Sequence, residues 1–113
     1  MIELFTGKDD HVYFRFKAAN NEKVLQSKFY PKGKEGNIYE HAKKDLKEWF
    51  ENGGIIEEKV AKTEMPQTYF IVKLRHDEQK LIAWSETYTT KQARKHGIIV
   101  VKEILNKFKV IEK

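Results

Sequence analysis

A chain of 113 residues and 13.4 kDa, 40% hydrophobic and 12% aromatic, is long enough for one core and too apolar to be disordered, despite 35% charged residues. The absence of cysteine excludes disulfides, thiol catalysis and thiolate metal sites, and the formal charge of +5 invites a polyanion partner. No apolar run reaches the roughly 20 residues of a spanning helix, and the start MIELFTGKDD lacks the features of a signal peptide, so a soluble cytoplasmic protein with no membrane partner is expected.

Ile2 to Phe5 is a short apolar run, linked by Gly7-Lys8-Asp9-Asp10 to a segment of period 2. There Val12, Phe14 and Phe16 point to one face while Tyr13, Arg15 and Lys17 point to the other, which predicts a half-buried strand. Asn20-Asn21 suits a tight hairpin, because asparagine tolerates positive φ, and Lys23 to Tyr30 returns. Pro31 to Asn37 is turn chemistry, with Asn37 the expected N-cap of a helix running to Phe50. Its apolar stripe is Tyr39, Ala42, Leu46, Trp49 and Phe50, and Asn52-Gly53-Gly54 stops it.

The same plan follows again. Ile55 to Lys62 is a strand, Met65-Pro66-Gln67 a turn, and Thr68 to Arg75 a second strand. His76-Asp77-Glu78-Gln79 is the next turn, and Lys80 to Tyr88 the third strand. Thr89 or Thr90 caps a helix burying Ala93, Gly97, Val100, Val101, Ile104 and Phe108. Val12 to Tyr30 also lies over Phe70 to Tyr88 without a gap, setting Val12 on Phe70, Phe16 on Leu74, Ser27 on Ser85 and Tyr30 on Tyr88. The expectation is an α+β fold, a single domain over residues 1–113, with two tandem βββα repeats (1–54 and 55–113). They form two layers, an antiparallel sheet with both helices on one face. Trp49 and Trp84 are expected in the core.

FRFKAANNEKVLQSKFY, with Ser85-Glu86-Thr87-Tyr88, Gly97-Ile98 and Val101-Lys102 in the second half, resembles the repeat of the YegP-like proteins. These are small bacterial proteins with tandem copies of an FRLKAxNGE-type hairpin followed by a helix. The resemblance covers nearly the whole chain. The chain departs from the pattern at Gly36-Asn37-Ile38, displaced by a Lys- and Gly-rich insertion, and at His76-Asp77-Glu78, where the family has Asn-Gly. The resemblance implies a two-layer fold with pseudo-twofold repeats. The family is uncharacterised in function, so it implies no catalytic residue and no cofactor.

Chemistry is sparse. His11, His41, His76 and His96 form no pair at ligand spacing, so no metal site is expected, and His76-Asp77-Glu78 reads as a polar turn. Ser27 and Ser85 lack an adjacent base or a nucleophile elbow, and Gly33-x-x-Gly36 is no phosphate loop. A non-enzymatic binding or interaction module of unassigned ligand is therefore expected, with no cofactor. The alternative is nucleic-acid binding through the outer sheet face, with Tyr13, Arg15, Lys17, Tyr69, Lys73 and Arg75 as contacts. Open strand edges add self-association, as a homodimer, to the partners to consider. Residues 1–56 carry ten Lys and Arg against nine Asp and Glu; residues 57–113 carry twelve against eight. Much of that excess follows Thr90, including Arg94, Lys109 and Lys113, and reads as a solvated helix face and a frayed basic tail.

Overall fold

A computed structural model describes residues 1–62, 65 and 67–113. The turn expected at Met65-Pro66-Gln67 centres on Pro66, outside the described residues. The elements run β1 (Ile2–Thr6), β2 (Val12–Lys17), β3 (Lys23–Ser27), α1 (Glu40–Asn52), β4 (Gly54–Ala61), β5 (Gln67–Leu74), β6 (Asp77–Ser85), α2 (Lys91–Lys107) and β7 (Val110–Glu112). The strands form one seven-stranded sheet in the order β4-β5-β6-β3-β2-β1-β7. Every neighbouring pair is antiparallel except β1 with β7.

The period-2 reading holds in β2 and β5. Val12, Phe14, Phe16, Thr68, Phe70, Val72 and Leu74 are buried, and the residues between them are not. Helix α1 lays Trp49 on Phe16, ring centroids 5.3 Å apart, and α2 brings Gly97 against Tyr88. A Cβ at Gly97 would overlap the Tyr88 hydroxyl, so a larger residue there would have to displace the Tyr88 ring. Between α1 and the sheet, the buried Asp45 carboxylate accepts from Tyr30 Oη at 2.8 Å and from Lys80 Nζ at 2.9 Å. Burial, and then that carboxylate, push the Tyr30 phenol well above its ordinary range.

Two serines hold the hairpins to the core. Ser27 Oγ accepts from Phe14 N and donates to Lys28 O; Ser85 Oγ accepts from Phe70 N and donates to Glu86 O. Each fills a gap in the ladder with a side chain. Ser27→Ala or Ser85→Ala leaves a buried amide without its acceptor and is expected to cost about 1–3 kcal/mol in urea unfolding. Losses below about 0.5 kcal/mol in both would mean that the amides find other acceptors.

Several expectations are corrected. Asn21 does take positive φ (68°) in the β2–β3 turn, but the β5–β6 turn holds only Arg75 and His76, because Leu74 already pairs with Asp77. Asp77 alone pairs across, with Leu74, and Glu78 to Lys80 fall in a register irregularity before Leu81, on an exposed stretch where hydrophobic periodicity is silent. Asn37 is not the cap of α1: its N–H goes to Lys34 O, and the helix starts three residues later behind Tyr39. Helix α2 begins as expected, with Thr90 Oγ1 accepting from Ala93 N. It ends at Phe108, a non-glycine residue at φ 46°.

That left-handed residue turns the basic tail back into the sheet. Instead of fraying, Val110 to Glu112 pair in parallel with Ile2 to Leu4, and Lys113 O accepts from Tyr39 Oη. Arg94 is not part of a solvated face either. It is 6% exposed, and its guanidinium bonds Glu58 and Lys59 O on edge strand β4.

Trp84 is the largest displacement. In the β5–β6 ladder Val72 pairs with Ala83 and Lys73 with Leu81, leaving Ile82 as an extra residue. The bulge buries Ile82 and Ala83 in succession and turns the next side chain outward. Trp84 is consequently 41% exposed, while Trp49 is buried as expected.

Candidate functional site

The surface opposite Phe14, Phe16 and Phe70 is an outer face ordered by the ladder registers. One row crosses all seven strands: Glu57, Ile71, Trp84, Gln26, Arg15, Glu3 and Ile111. Trp84 and Gln26 form its middle, on the two strands that join the halves of the sheet. Leu81, 36% exposed, is cross-strand from Lys73 on the same face.

Charge on this face is gathered at carboxylates. Glu3 is only 3% exposed, and its oxygens meet Arg15 Nε at 2.7 Å, Lys113 Nζ at 3.1 Å and Lys17 Nζ at 3.4 Å. Burial pushes the Glu3 carboxyl up, but hydrogen bonds from Arg15, Lys113 and Lys17 and the Arg15 charge outweigh it, leaving the pKa at about 2. Across the sheet, Glu57 meets Lys73 Nζ at 3.0 Å and Lys59 Nζ at 3.1 Å, and these hydrogen bonds lower its carboxyl too. Lys23 pairs with Glu86 at 3.4 Å. Three carboxylates thus hold six cations, so the paired clusters keep a positive excess.

Of the six contacts read from the sequence, five lie on this face. Tyr13 stacks on Phe5 at 5.6 Å and donates to Asp9 Oδ2, a bond that raises its own pKa and lowers that of Asp9. The Arg15 guanidinium lies 4.2 Å over the Phe5 ring, Lys17 reaches Glu3, and Lys73 reaches Glu57. Tyr69 pairs with Lys59. Arg75 does not join them: it sits in the β5–β6 turn beside Gly53 and Gly54. Tyr13 and Tyr69 lie three strand spacings apart and on opposite sides of the row, because β2 and β5 run in opposite directions, which separates them diagonally by roughly 19 Å. Trp84, between them, was missed by sequence reasoning. Its only signal was the adjacent pair Ile82-Ala83, which breaks alternation.

A second exposed apolar surface lies between α1 and the end of the chain, lined by Leu46, Phe50, Phe108 and Val110. Phe50 and Phe108 pack on each other there at 4.4 Å.

Residues 68–106 match the family model of a domain of unknown function, DUF1508. No curated protein matches the sequence. Among solved structures the chain is similar to a UPF0339 protein from Shewanella oneidensis, at 29% identity and a TM-score of 0.76, covering 98% of this chain and 88% of that one. It is also similar to the E. coli protein of unknown function yegP, at 27% identity and a TM-score of 0.71, covering 99% and 89%.

Proposed function

We propose, for a chain that belongs to the YegP-like family of uncharacterised proteins, a non-enzymatic binding module that works through the outer face of its sheet. The observation that carries this is Trp84: a tryptophan 41% exposed on β6, an inner strand next to the middle one of seven, does little for the core. Large aromatics held at such positions supply contact area to a ligand.

We read the chain as a single domain of two tandem βββα repeats with both helices on the inner face. The contacts of Trp49 with Phe16 and of Gly97 with Tyr88 support this, because all four sit on the core side. The β3–β6 pairing supports it too. Leu25 faces Ser85 and Ser27 faces Ala83, a reciprocal register about Gln26 and Trp84. A bulge falls at Val24 in one half and at Ile82 in the other, with matching serine bonds beyond each. These set Phe14 against Phe70 and Phe16 against Val72, two residues away from the gapless overlay. A shift of two keeps every side chain on its face, so the hydrophobic pattern could not detect it. On this reading Trp84 stands beside the pseudo-axis, flanked by Tyr13 and Lys17 on one side and Tyr69 and Lys73 on the other.

Replacing Tyr69 by p-benzoylphenylalanine and irradiating in cells is expected to give adducts several-fold more abundant than the same group at Ile99, exposed on α2. Equal or weaker adduct formation at position 69 would remove the outer face from consideration.

A further inference from the structure

We propose that the ligand of the outer face is single-stranded nucleic acid, with the Trp84 indole stacking on a base and the Glu3- and Glu57-centred lysine and arginine clusters meeting phosphates on either side. This rests on the outer-face reading above.

Three observations lead there. The first is charge: the paired clusters set six cations against three carboxylates, an excess of three that falls to two when Asp9, held by Tyr13, is counted. Protein–protein interface cores are depleted in lysine and glutamate, whereas this face is built from them around one indole.

The second is spacing. Arg15 lies two strands from Trp84 on one side and Glu57, with its lysines, two strands away on the other, roughly 10 Å in each direction. A base on the indole therefore has cations within reach of the phosphates before and after it. Glu3 has only 3% exposure and three cation partners, which fixes the Arg15 cluster in place before any ligand arrives.

The third is access. Trp84 makes no ring–ring contact among the described residues, and its row neighbours Ile71 and Gln26 are not aromatic. An indole free of ring partners suits base stacking, which an intact duplex cannot offer because its bases are already stacked. The cations, in contrast, are sequence-indifferent, so the expected preference is for unpaired strands over any particular sequence.

The test is anisotropy of labelled 12-nucleotide RNA, DNA and duplex DNA with the full chain at 50 and 200 mM salt. Binding should favour single strands and weaken by roughly 20- to 50-fold between the two salts, as three or four phosphate contacts predict. Trp84→Ala should lose about tenfold or more in affinity and Trp84→Phe much less, while thermal melting shows both folded. No binding at 50 mM salt, or a preference for duplex, overturns the ligand but leaves the outer face to be judged by the crosslinking comparison. Binding unchanged in Trp84→Ala overturns the ligand on this face, since the nucleic acid would then lie elsewhere, and the outer face is still judged by the crosslinking comparison. Crosslinked adducts at position 69 that are all protein would also overturn the ligand.

Discussion

Trp49→Ala is expected to lose about 3–5 kcal/mol of folding stability, and Trp84→Ala less than about 1 kcal/mol. The two tryptophans differ in what surrounds them. Trp49 is 3% exposed, stacks on Phe16, and is approached by Gly54 so closely that a Cβ there would lie 2.6 Å from the indole. Truncation leaves a cavity bounded by a strand, a helix and a tight turn, none of which can collapse into it cheaply. Domains of this size hold only about 5–15 kcal/mol in all, so Trp49→Ala consumes a large part of it. Trp49→Phe keeps most of the volume and should retain more than half of the lost stability. Urea unfolding of the three variants measures this directly. A Trp84→Ala loss as large as that of Trp49→Ala would mean that Trp84 is structural rather than a contact for a ligand.

The second large effect is acid sensitivity centred on Glu3. Its carboxyl titrates at about 2 in the folded protein, against 4.5 for a glutamate free in the unfolded chain. A folded pKa below the unfolded one contributes stability that is fully present above pH 4.5 and is lost as pH falls towards 2. The size is up to about 3 kcal/mol, less as salt screens the partly exposed lysines. Glu3→Gln should therefore lower stability at pH 7 and flatten its decline between pH 5 and 2. The cause is specific: the neutral amide no longer holds Arg15, Lys17 and Lys113, and the same substitution loosens the cation cluster of the outer face. A variant with an unchanged acid limb would show that the cluster contributes little to folding.

Much of the architecture was legible because it rests on periodicities. Val12, Phe14 and Phe16 announce a half-buried strand, and Gly53 at φ 86° ends α1 where the glycine pair said it would. What escaped the sequence lay where periodicity carries no information. Ile82 is one extra residue in a ladder, chemically an ordinary strand residue, yet it reverses the direction of Trp84. Arg94 looks like a surface cation and is buried because edge strand β4 offers it a carbonyl and a carboxylate, a partnership between residues more than thirty positions apart. Strand β7 depends on Phe108 accepting a left-handed conformation, which no local preference of phenylalanine suggests. The candidate site suffered most. Five of its six residues were placed on the right face by alternation, but its centre was assigned to the core.

Those same two tryptophans give the most direct test of the outer face. The protein has two indole N–H groups, one in the core and one on the sheet. In a nitrogen-15 NMR titration with single-stranded RNA at low salt, the Trp84 indole signal and the amides of Arg15, Gln26 and Ile71 should shift together while the Trp49 indole stays in place. Shifts confined to the helices, or an unmoved Trp84 indole at saturating RNA, would contradict the account.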